Sequence, residues 1–87
     1  MQSDDTAPRY FEDFAAGETF TTPEVEVTTA EIIEFARLYD PQHFHTDPAS
    51  AVDSVFGRHV GSGWHTAALT MRLWFDHGPP VAGGLVG

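Results

Sequence analysis

Acid and base side chains concentrate in one short segment of the chain. The segment Tyr39-Asp40-Pro41-Gln42-His43-Phe44-His45-Thr46-Asp47 holds two histidines and two aspartates in nine residues. A histidine changes its charge near neutral pH, and a neighbouring carboxylate can share its proton, so such a pair can carry out general acid and base chemistry. Asp40 and His45 are five positions apart, and Pro41 disfavours helical backbone at Asp40. We therefore expect both side chains to lie on an irregular loop that directs them to one point.

Helices are predicted on both sides of this loop. A capping box at Thr28-Thr29-Ala30-Glu31, followed by apolar residues at helical spacing, predicts a helix over residues 29–38. Asp47 and Pro48 are typical of an N-cap and a first helical position, so a short helix is expected there, which Gly57 can end. After Ser62-Gly63, apolar residues at positions 64, 67, 68, 71, 74 and 75 predict a longer helix that Gly78-Pro79-Pro80 terminates.

The first third of the chain has a different pattern. Residues 1–8 are polar and are expected to be flexible. Tyr10, Phe11 and Phe14 form an aromatic cluster that is expected to cover one end of a core. Over residues 20–28, valines alternate with glutamates, which predicts a half-exposed strand, and Pro23 indicates an edge or a strand start.

The overall composition excludes several classes of function. Thirteen acidic residues face four arginines and no lysine, giving a formal net charge of −9, and such a surface repels the phosphates of a nucleic acid. The absence of cysteine excludes a disulfide framework, a thiolate nucleophile and a cysteine zinc site. No apolar run approaches the roughly 20 residues that span a bilayer, and no signal-peptide pattern opens the chain. We expect one cytoplasmic domain that binds neither nucleic acid nor membrane.

Two segments together resemble a known family. Tyr39-Asp40-Pro41-Gln42-His43-Phe44-His45 and Ser62-Gly63-Trp64-His65-Thr66 are similar to the MaoC-like dehydratases, the (R)-specific enoyl-CoA hydratases of the hot-dog superfamily. The family's signature is an Asp, four residues and then a His, with a Gly that opens a long central helix downstream. The resemblance runs from about Tyr10 to Leu73. The commonest hydratase form has Asn and Pro where this chain has Gln42 and His43.

The resemblance implies an α+β hot-dog fold. Residues 1–87 would form its N-terminal portion, with one or more strands, the catalytic loop and the central helix, and most of the wrapping antiparallel sheet would lie outside this chain. Much of the predicted helix from Trp64 to Phe75 would then be exposed. Because hot-dog proteins generally pair through their sheets, the resemblance also implies a homodimer or a higher homo-oligomer.

The resemblance implies a specific reaction as well, the reversible hydration of a trans-2-enoyl-CoA or related thioester to a 3-hydroxyacyl thioester. Asp40 and His45 would be catalytic, and the Gly63 N–H, with Ser62 beside it, would bind the thioester oxygen. A helix N-terminus suits that task, because its N–H groups are unpaired and its dipole favours negative charge. The reaction needs no metal and no redox cofactor.

Simpler interpretations exist for the same residues. An Asp before a proline is often only a turn residue, Ser62 and Asp47 can be helix caps, and His65 can have a packing role. His43 is expected to be a partly exposed loop residue, and His59 and His77 to be structural or exposed. Two other functions are compatible with the sequence: a metal-binding module built from His43, His45 and a carboxylate of Asp40 or Asp47, and a noncatalytic hot-dog fragment that acts as an interaction module.

Overall fold

The computed structural model describes residues 7–85, and in this part of the chain four α-helices provide most of the regular structure. They are α1 (Thr29–Tyr39), α2 (His43–Thr46), α3 (Pro48–Ala51) and α4 (Gly63–His77), and a 3₁₀ turn at Phe11–Asp13 precedes them. Residues 25–70 form one compact unit, and among the described residues 7–24 and 71–85 form another. Of the segment predicted to be flexible, residues 1–8, the first six lie outside the described residues.

Helix α1 confirms the helix predicted from the capping pattern. The Thr28 hydroxyl accepts a hydrogen bond from the Glu31 N–H at 3.2 Å, which satisfies one of the free N–H groups at the helix start. Ala36 faces inward and is completely buried. The helix ends at Tyr39, where the Asp40 N–H still bonds to the Ala36 carbonyl at 2.8 Å and Pro41 prevents a further turn.

The segment after Asp40 corrects the prediction of an irregular loop, because it contains the single turn of α2. The Gln42 carbonyl accepts from the His45 and Thr46 N–H groups at 2.9 and 3.2 Å. Pro41 restricts only the residue before it, so helical backbone can begin two residues later. The predicted start of helix α3 is confirmed, since the Asp47 carboxylate accepts from the Ala49 N–H at 3.1 Å and Pro48 occupies the first helical position. The helix ends at Ala51, however, and does not continue through Val52 and Val55 to Gly57 as predicted.

Helix α4 is the longest element of the described chain. The Gly78 N–H bonds to the Trp74 carbonyl at 2.7 Å, and a Cβ on Gly78 would lie 2.6 Å from that same oxygen, so only glycine fits this helix end. Trp64, Met71 and Phe75 are 74%, 47% and 60% exposed, as expected for a helix without a covering sheet. None of the helices in residues 7–85 is long and apolar enough to cross a membrane.

The strand predicted over residues 20–28 is wrong. Within residues 7–85 the β-pairing is a single isolated parallel bridge between Arg9 and Val81, with hydrogen bonds from the Arg9 N–H to the Pro80 carbonyl and from the Ala82 N–H to the Arg9 carbonyl, both 2.8 Å. The alternation of Val and Glu describes the two faces of an extended segment. A strand also needs a neighbour that pairs with its backbone groups, and the described part of the chain supplies none.

The aromatic residues near the start of the chain pack around an arginine. The Arg9 guanidinium lies 5.4 Å from the Phe14 ring centroid and 5.2 Å from that of Phe20, and it forms an ion pair with Glu18 at 2.8 Å. The Phe20 ring meets Trp74 edge to face, with ring centroids 6.1 Å apart. Tyr10 and Phe11, which were expected to cover one end of a core together with Phe14, are 62% and 94% exposed, so that part of the prediction is wrong.

Candidate active site

Asp40 and His45 meet although they lie on different elements. Asp40 directly follows α1, His45 lies on α2, and the turn between them is closed by a hydrogen bond from the Gln42 N–H to the Asp40 carbonyl at 2.9 Å. This turn brings His45 Nε2 to 3.2 Å from Asp40 Oδ2. The two side chains are only 7% and 15% exposed, so the contact is largely shielded from solvent.

The proton on the His45 ring is assigned by its other contact. His45 Nδ1 lies 2.7 Å from the Val60 carbonyl oxygen, which can only accept, so Nδ1 carries a proton. Nε2 is then the nitrogen that faces Asp40 Oδ2 at 3.2 Å, and it is the position at which the ring can gain or lose a second proton. The arrangement is suited to holding and passing one proton.

The segment before α4 fixes the position of α2. The His59 ring donates from Nε2 to the His45 carbonyl at 2.7 Å, and the Val60 N–H donates to the Phe44 carbonyl at 3.2 Å. The Phe44 ring also packs edge to face against the His45 ring, with centroids 4.6 Å apart. The structural role expected for His59 is thereby confirmed. The contact between the Val60 carbonyl and His45 could not be predicted from the sequence, because every residue has a backbone carbonyl.

The Asp40 carboxylate accepts a hydrogen bond at each oxygen from a neutral side chain. Ser62 Oγ donates to Oδ2 at 2.7 Å, and Gln42 Nε2 donates to Oδ1, also at 2.7 Å. The bonds from Ser62 and then Gln42 lower the pKa of Asp40 below its usual value, with a smaller contribution from the charge of His45, while burial acts in the opposite direction. Asp40 is therefore held as a carboxylate at neutral pH.

Ser62 is the N-cap of α4, as one of its two interpretations predicted, and it has a second contact that the sequence did not predict. Its side chain accepts from the Trp64 N–H at 3.2 Å, as the N-cap of α4 does, and donates to Asp40 at the same time. Ser62 is only 1% exposed. One buried hydroxyl therefore connects the start of α4 to the carboxylate after α1.

Gly63 presents its backbone to the same site. It is the first residue of α4, and within residues 7–85 its N–H has no hydrogen-bond acceptor. A Cβ built on Gly63 would meet nothing within 4 Å, so the space next to its backbone is open. A free N–H at a helix start is suited to binding an oxygen that carries negative charge.

These groups line one open cavity of about 560 Å³. Its polar residues are Asp40, Gln42 and His45, its glycines are Gly61 and Gly63, and its apolar wall is formed by Phe44, Phe56, Val60, Trp64 and Ala67. The Phe44 and Phe56 rings pack edge to face, with ring centroids 5.1 Å apart. An apolar wall with a few convergent polar groups is typical of a site for a small amphipathic ligand.

The other histidines of this unit lie away from the Asp40 carboxylate. His43 is exposed and its Nδ1 lies 3.1 Å from Ser50 Oγ, on α2 rather than on the loop that was expected. His65 is buried and stacks on Phe35, with ring centroids 4.6 Å apart, which supports the packing role. In the described part of the chain, no three side chains of His, Cys, Asp or Glu are grouped so that they could hold a metal ion. The ligand set suggested by His43 and His45 is not assembled here.

Comparisons with known proteins identify the family of this chain. The profile of the MaoC like domain family matches residues 13–86. The uncharacterized protein YdeM of Bacillus subtilis strain 168 is 33% identical over 67 residues, and Protein MaoC of Klebsiella aerogenes is 35% identical over 72 residues. These alignments cover 77% and 80% of this chain.

A solved structure shows the same likeness in three dimensions. The crystal structure of a MaoC-like dehydratase from Rhodospirillum rubrum is 46% identical and superimposes with a TM-score of 0.81 over 91% of this chain. The chain spans 54% of that protein, 48% of YdeM and 21% of Protein MaoC. The likeness confirms the hot-dog assignment, with α4 as its central helix. Family profile, relatives and structure together lead to one conclusion: the chain belongs to the MaoC-like domain family.

Proposed function

We propose that this protein is a hydro-lyase that adds water reversibly to a trans-2-enoyl thioester, such as an enoyl-CoA, to give a 3-hydroxyacyl thioester. Membership of a family that includes MaoC-like dehydratases supports a hydratase or dehydratase role in general. The observation that carries the proposal is the Asp40–His45 contact of 3.2 Å in the wall of a cavity that Gly63 also lines.

The reaction requires three tasks of the protein. The water oxygen forms a bond to the β-carbon while the water gives up a proton, and the electron pair of the double bond moves toward the thioester carbonyl. The α-carbon then takes up a proton, so that the sum is the addition of one water molecule. A site for this reaction must therefore accept a proton, deliver a proton and stabilise the negative charge that develops on the carbonyl oxygen.

In this proposal the dyad handles the protons. His45 takes the proton of the water at Nε2, because Nδ1 already donates to Val60. Asp40 orients the water and, as the acid of the pair, shares through its contact with His45 in delivering that proton to the α-carbon. Their shielding from solvent strengthens the attraction between the Asp40 carboxylate and the imidazolium that forms when His45 takes the proton.

The start of α4 stabilises the negative charge that develops on the thioester oxygen. The thioester oxygen accepts a hydrogen bond from the Gly63 N–H, where the helix dipole is also favourable. The apolar wall around Phe44, Phe56 and Trp64 provides a surface for the acyl chain. The net charge of −9 disfavours the anionic CoA portion, so we assign that portion to arginine side chains or to basic groups of another subunit in a homo-oligomer.

The proposal is tested by incubating the purified protein with crotonyl-CoA and following the loss of the enoyl absorbance. We expect turnover, with 3-hydroxybutyryl-CoA as the product identified by mass spectrometry, and the reverse dehydration from that product. A series of longer enoyl-CoA thioesters is assayed in parallel, because the length of the acyl chain depends on the cavity wall. Failure to hydrate or dehydrate any member of the series would contradict the proposed function.

A further inference from the structure

This chain differs from the commonest hydratase motif at Gln42 and His43. Of these two residues, Gln42 is the one whose side chain contacts Asp40. Its side-chain amide donates from Nε2 to Asp40 Oδ1 at 2.7 Å, whereas His45 and Ser62 both contact the other oxygen, Oδ2. Gln42 also lines the cavity. Within the described part of the chain, the Gln42 amide is therefore the one side-chain group that donates a hydrogen bond to Asp40 Oδ1.

The backbone of Gln42 explains how its side chain reaches Asp40. Gln42 is the N-cap of α2 with an extended ψ of 142°, and its side chain makes no capping hydrogen bond to that helix. The side chain is thus free to turn back toward the residue two positions earlier. The first hydrogen bonds of α2 are accepted by the backbone carbonyl of Gln42, and its side-chain amide takes no part in them. Replacing the side chain therefore leaves the helix start intact.

We propose that Gln42 is a positioning residue for the hydration reaction: its amide holds Asp40 Oδ1, so that Oδ2 is fixed opposite His45 Nε2. The inference rests on the proposed function for its catalytic meaning, although the hydrogen bond itself does not. A carboxylate held at one oxygen only, by Ser62, could rotate about its Cβ–Cγ bond, since that torsion is broad. With a donor at each oxygen, the plane of the carboxylate is fixed.

A second consequence concerns the charge of Asp40. Two hydrogen bonds from neutral donors favour the ionised carboxylate, and Gln42 supplies the second of them. Of the other titratable side chains on the neighbouring elements, only His45 contacts Asp40 in the described part of the chain. His43 contacts Ser50, His65 stacks on Phe35, and His59 donates to the His45 carbonyl. Arg37 and Tyr39 of α1 are exposed. The charge state of Asp40 therefore depends on Ser62, Gln42 and His45.

The test compares two substitutions of similar length. Gln42→Met removes the donor and keeps an unbranched side chain, and Gln42→Glu replaces the donor by a second carboxylate. Two carboxylates at hydrogen-bond distance cannot both ionise easily, so Gln42→Glu is expected to move the acidic limb of the kcat/KM pH profile upward by about one pH unit or more. Gln42→Met is expected to lower kcat by about tenfold, with a smaller upward shift of the same limb and little change in KM.

His43→Gln is the matched control, because His43 is the next residue, is exposed and contacts Ser50 instead of Asp40. We expect it to leave the pH profile unchanged. A role of Gln42 that is merely structural would lower the melting temperature without moving the acidic limb. An unchanged acidic limb in both Gln42 variants would overturn the proposal.

A titration that needs no substrate separates this proposal from the proposed function. The carboxyl carbon of Asp40 is followed by NMR against pH in the ¹³C-labelled protein and in both Gln42 variants. The midpoint is expected to rise in Gln42→Met and further in Gln42→Glu. If the wild-type protein hydrates no enoyl thioester but the midpoints rise, the function fails and the contact stands. If the midpoints coincide, the assignment of Gln42 fails whatever the activity.

Discussion

Three side chains contact Asp40, one from the residue before α4 and two from the short helix α2 and its N-cap. Ser62 approaches from the start of α4, Gln42 from the start of α2, and His45 from within α2. The donors at both oxygens keep Asp40 ionised, and the Val60 carbonyl keeps a proton on the far nitrogen of His45. Neutral groups around the dyad thus determine that Asp40 is the anionic partner and that Nδ1 is the His45 nitrogen that keeps its proton.

Removing the Ser62 hydroxyl tests this arrangement through protein stability. Ser62→Ala deletes the cap of α4 and one of the two hydrogen bonds of 2.7 Å to the Asp40 carboxylate, and we expect it to lower the free energy of unfolding by about 1–3 kcal/mol at neutral pH. The measurement is chemical denaturation followed by circular dichroism. Ser50→Ala is the control, because the Ser50 hydroxyl contacts His43 and the Asp47 carbonyl and no carboxylate.

The same variant has a predicted pH dependence. Because the pKa of Asp40 is lowered in the folded protein, its ionisation stabilises the fold above the unfolded-state pKa of about 4, and this contribution is lost as the pH falls through the lower folded-state pKa. Ser62→Ala removes the largest cause of the lowering. The stability difference between wild type and variant should therefore be full above about pH 4 and should shrink below it. A difference that stays constant from pH 6 to pH 3 would contradict the role of Ser62 at Asp40.

The two catalytic candidates could be predicted from the sequence, but their supporting groups could not. Asp40 and His45 are recognisable by residue type and by spacing within one short segment. The Val60 carbonyl is a group that almost every position carries, and the Gln42 amide has no feature that separates it from any exposed glutamine. Their roles depend on backbone directions at the start of α2 and before α4, which the sequence pattern does not specify.

The start of α4 offers a test of oxygen binding that is separate from the dyad. Gly63→Ala places a methyl group where the structure has open space, at a position without a positive φ, so we expect no loss of stability. The methyl group would lie next to the N–H that is proposed to bind the thioester oxygen. A misplacement of the substrate by about 1 Å costs on the order of a hundredfold, so kcat/KM for crotonyl-CoA should fall by about tenfold to a hundredfold.

Thr70→Ala is the matched control for Gly63→Ala. Thr70 lies two turns further along α4, is exposed and is not part of the cavity wall, and its hydroxyl donates to the Thr66 carbonyl at 2.8 Å. This substitution changes helix propensity without approaching Gly63. Equal kcat/KM values for Gly63→Ala and wild type would remove the Gly63 N–H from the proposed mechanism.

Local signals predicted three of the four helices, and the failures have a common cause. Caps at Thr28, Asp47 and Ser62 and the proline pair after Gly78 act within a few residues, so the pattern indicates where α1, α3 and α4 begin or end. Helix α2 has only four residues, too few for an apolar period. The expected strand failed because pairing needs a partner strand, and residues 7–85 do not provide it.

The exposed face of α4 has a consequence for association. Met71 and Phe75 are 47% and 60% exposed, and because they are about one helical turn apart they lie on the same side of the helix. We expect the protein to form a dimer or a larger oligomer, because a contiguous apolar surface favours association. Light scattering after size-exclusion chromatography gives the number of chains per particle, and Met71→Gln with Phe75→Gln should reduce it. A monomeric wild-type protein at tens of micromolar would contradict this expectation.

The most direct test of the account is a comparison of kcat/KM for crotonyl-CoA hydration among wild type, Asp40→Asn, His45→Ala and His43→Ala. The proposed dyad predicts that each of the first two variants loses about a hundredfold or more, since each removes one partner of the proton transfer. His43→Ala should retain wild-type activity, because His43 contacts Ser50 and not the dyad. Circular dichroism confirms that each variant is folded. Wild-type kcat/KM in a folded Asp40→Asn or His45→Ala protein would contradict the catalytic role of the dyad.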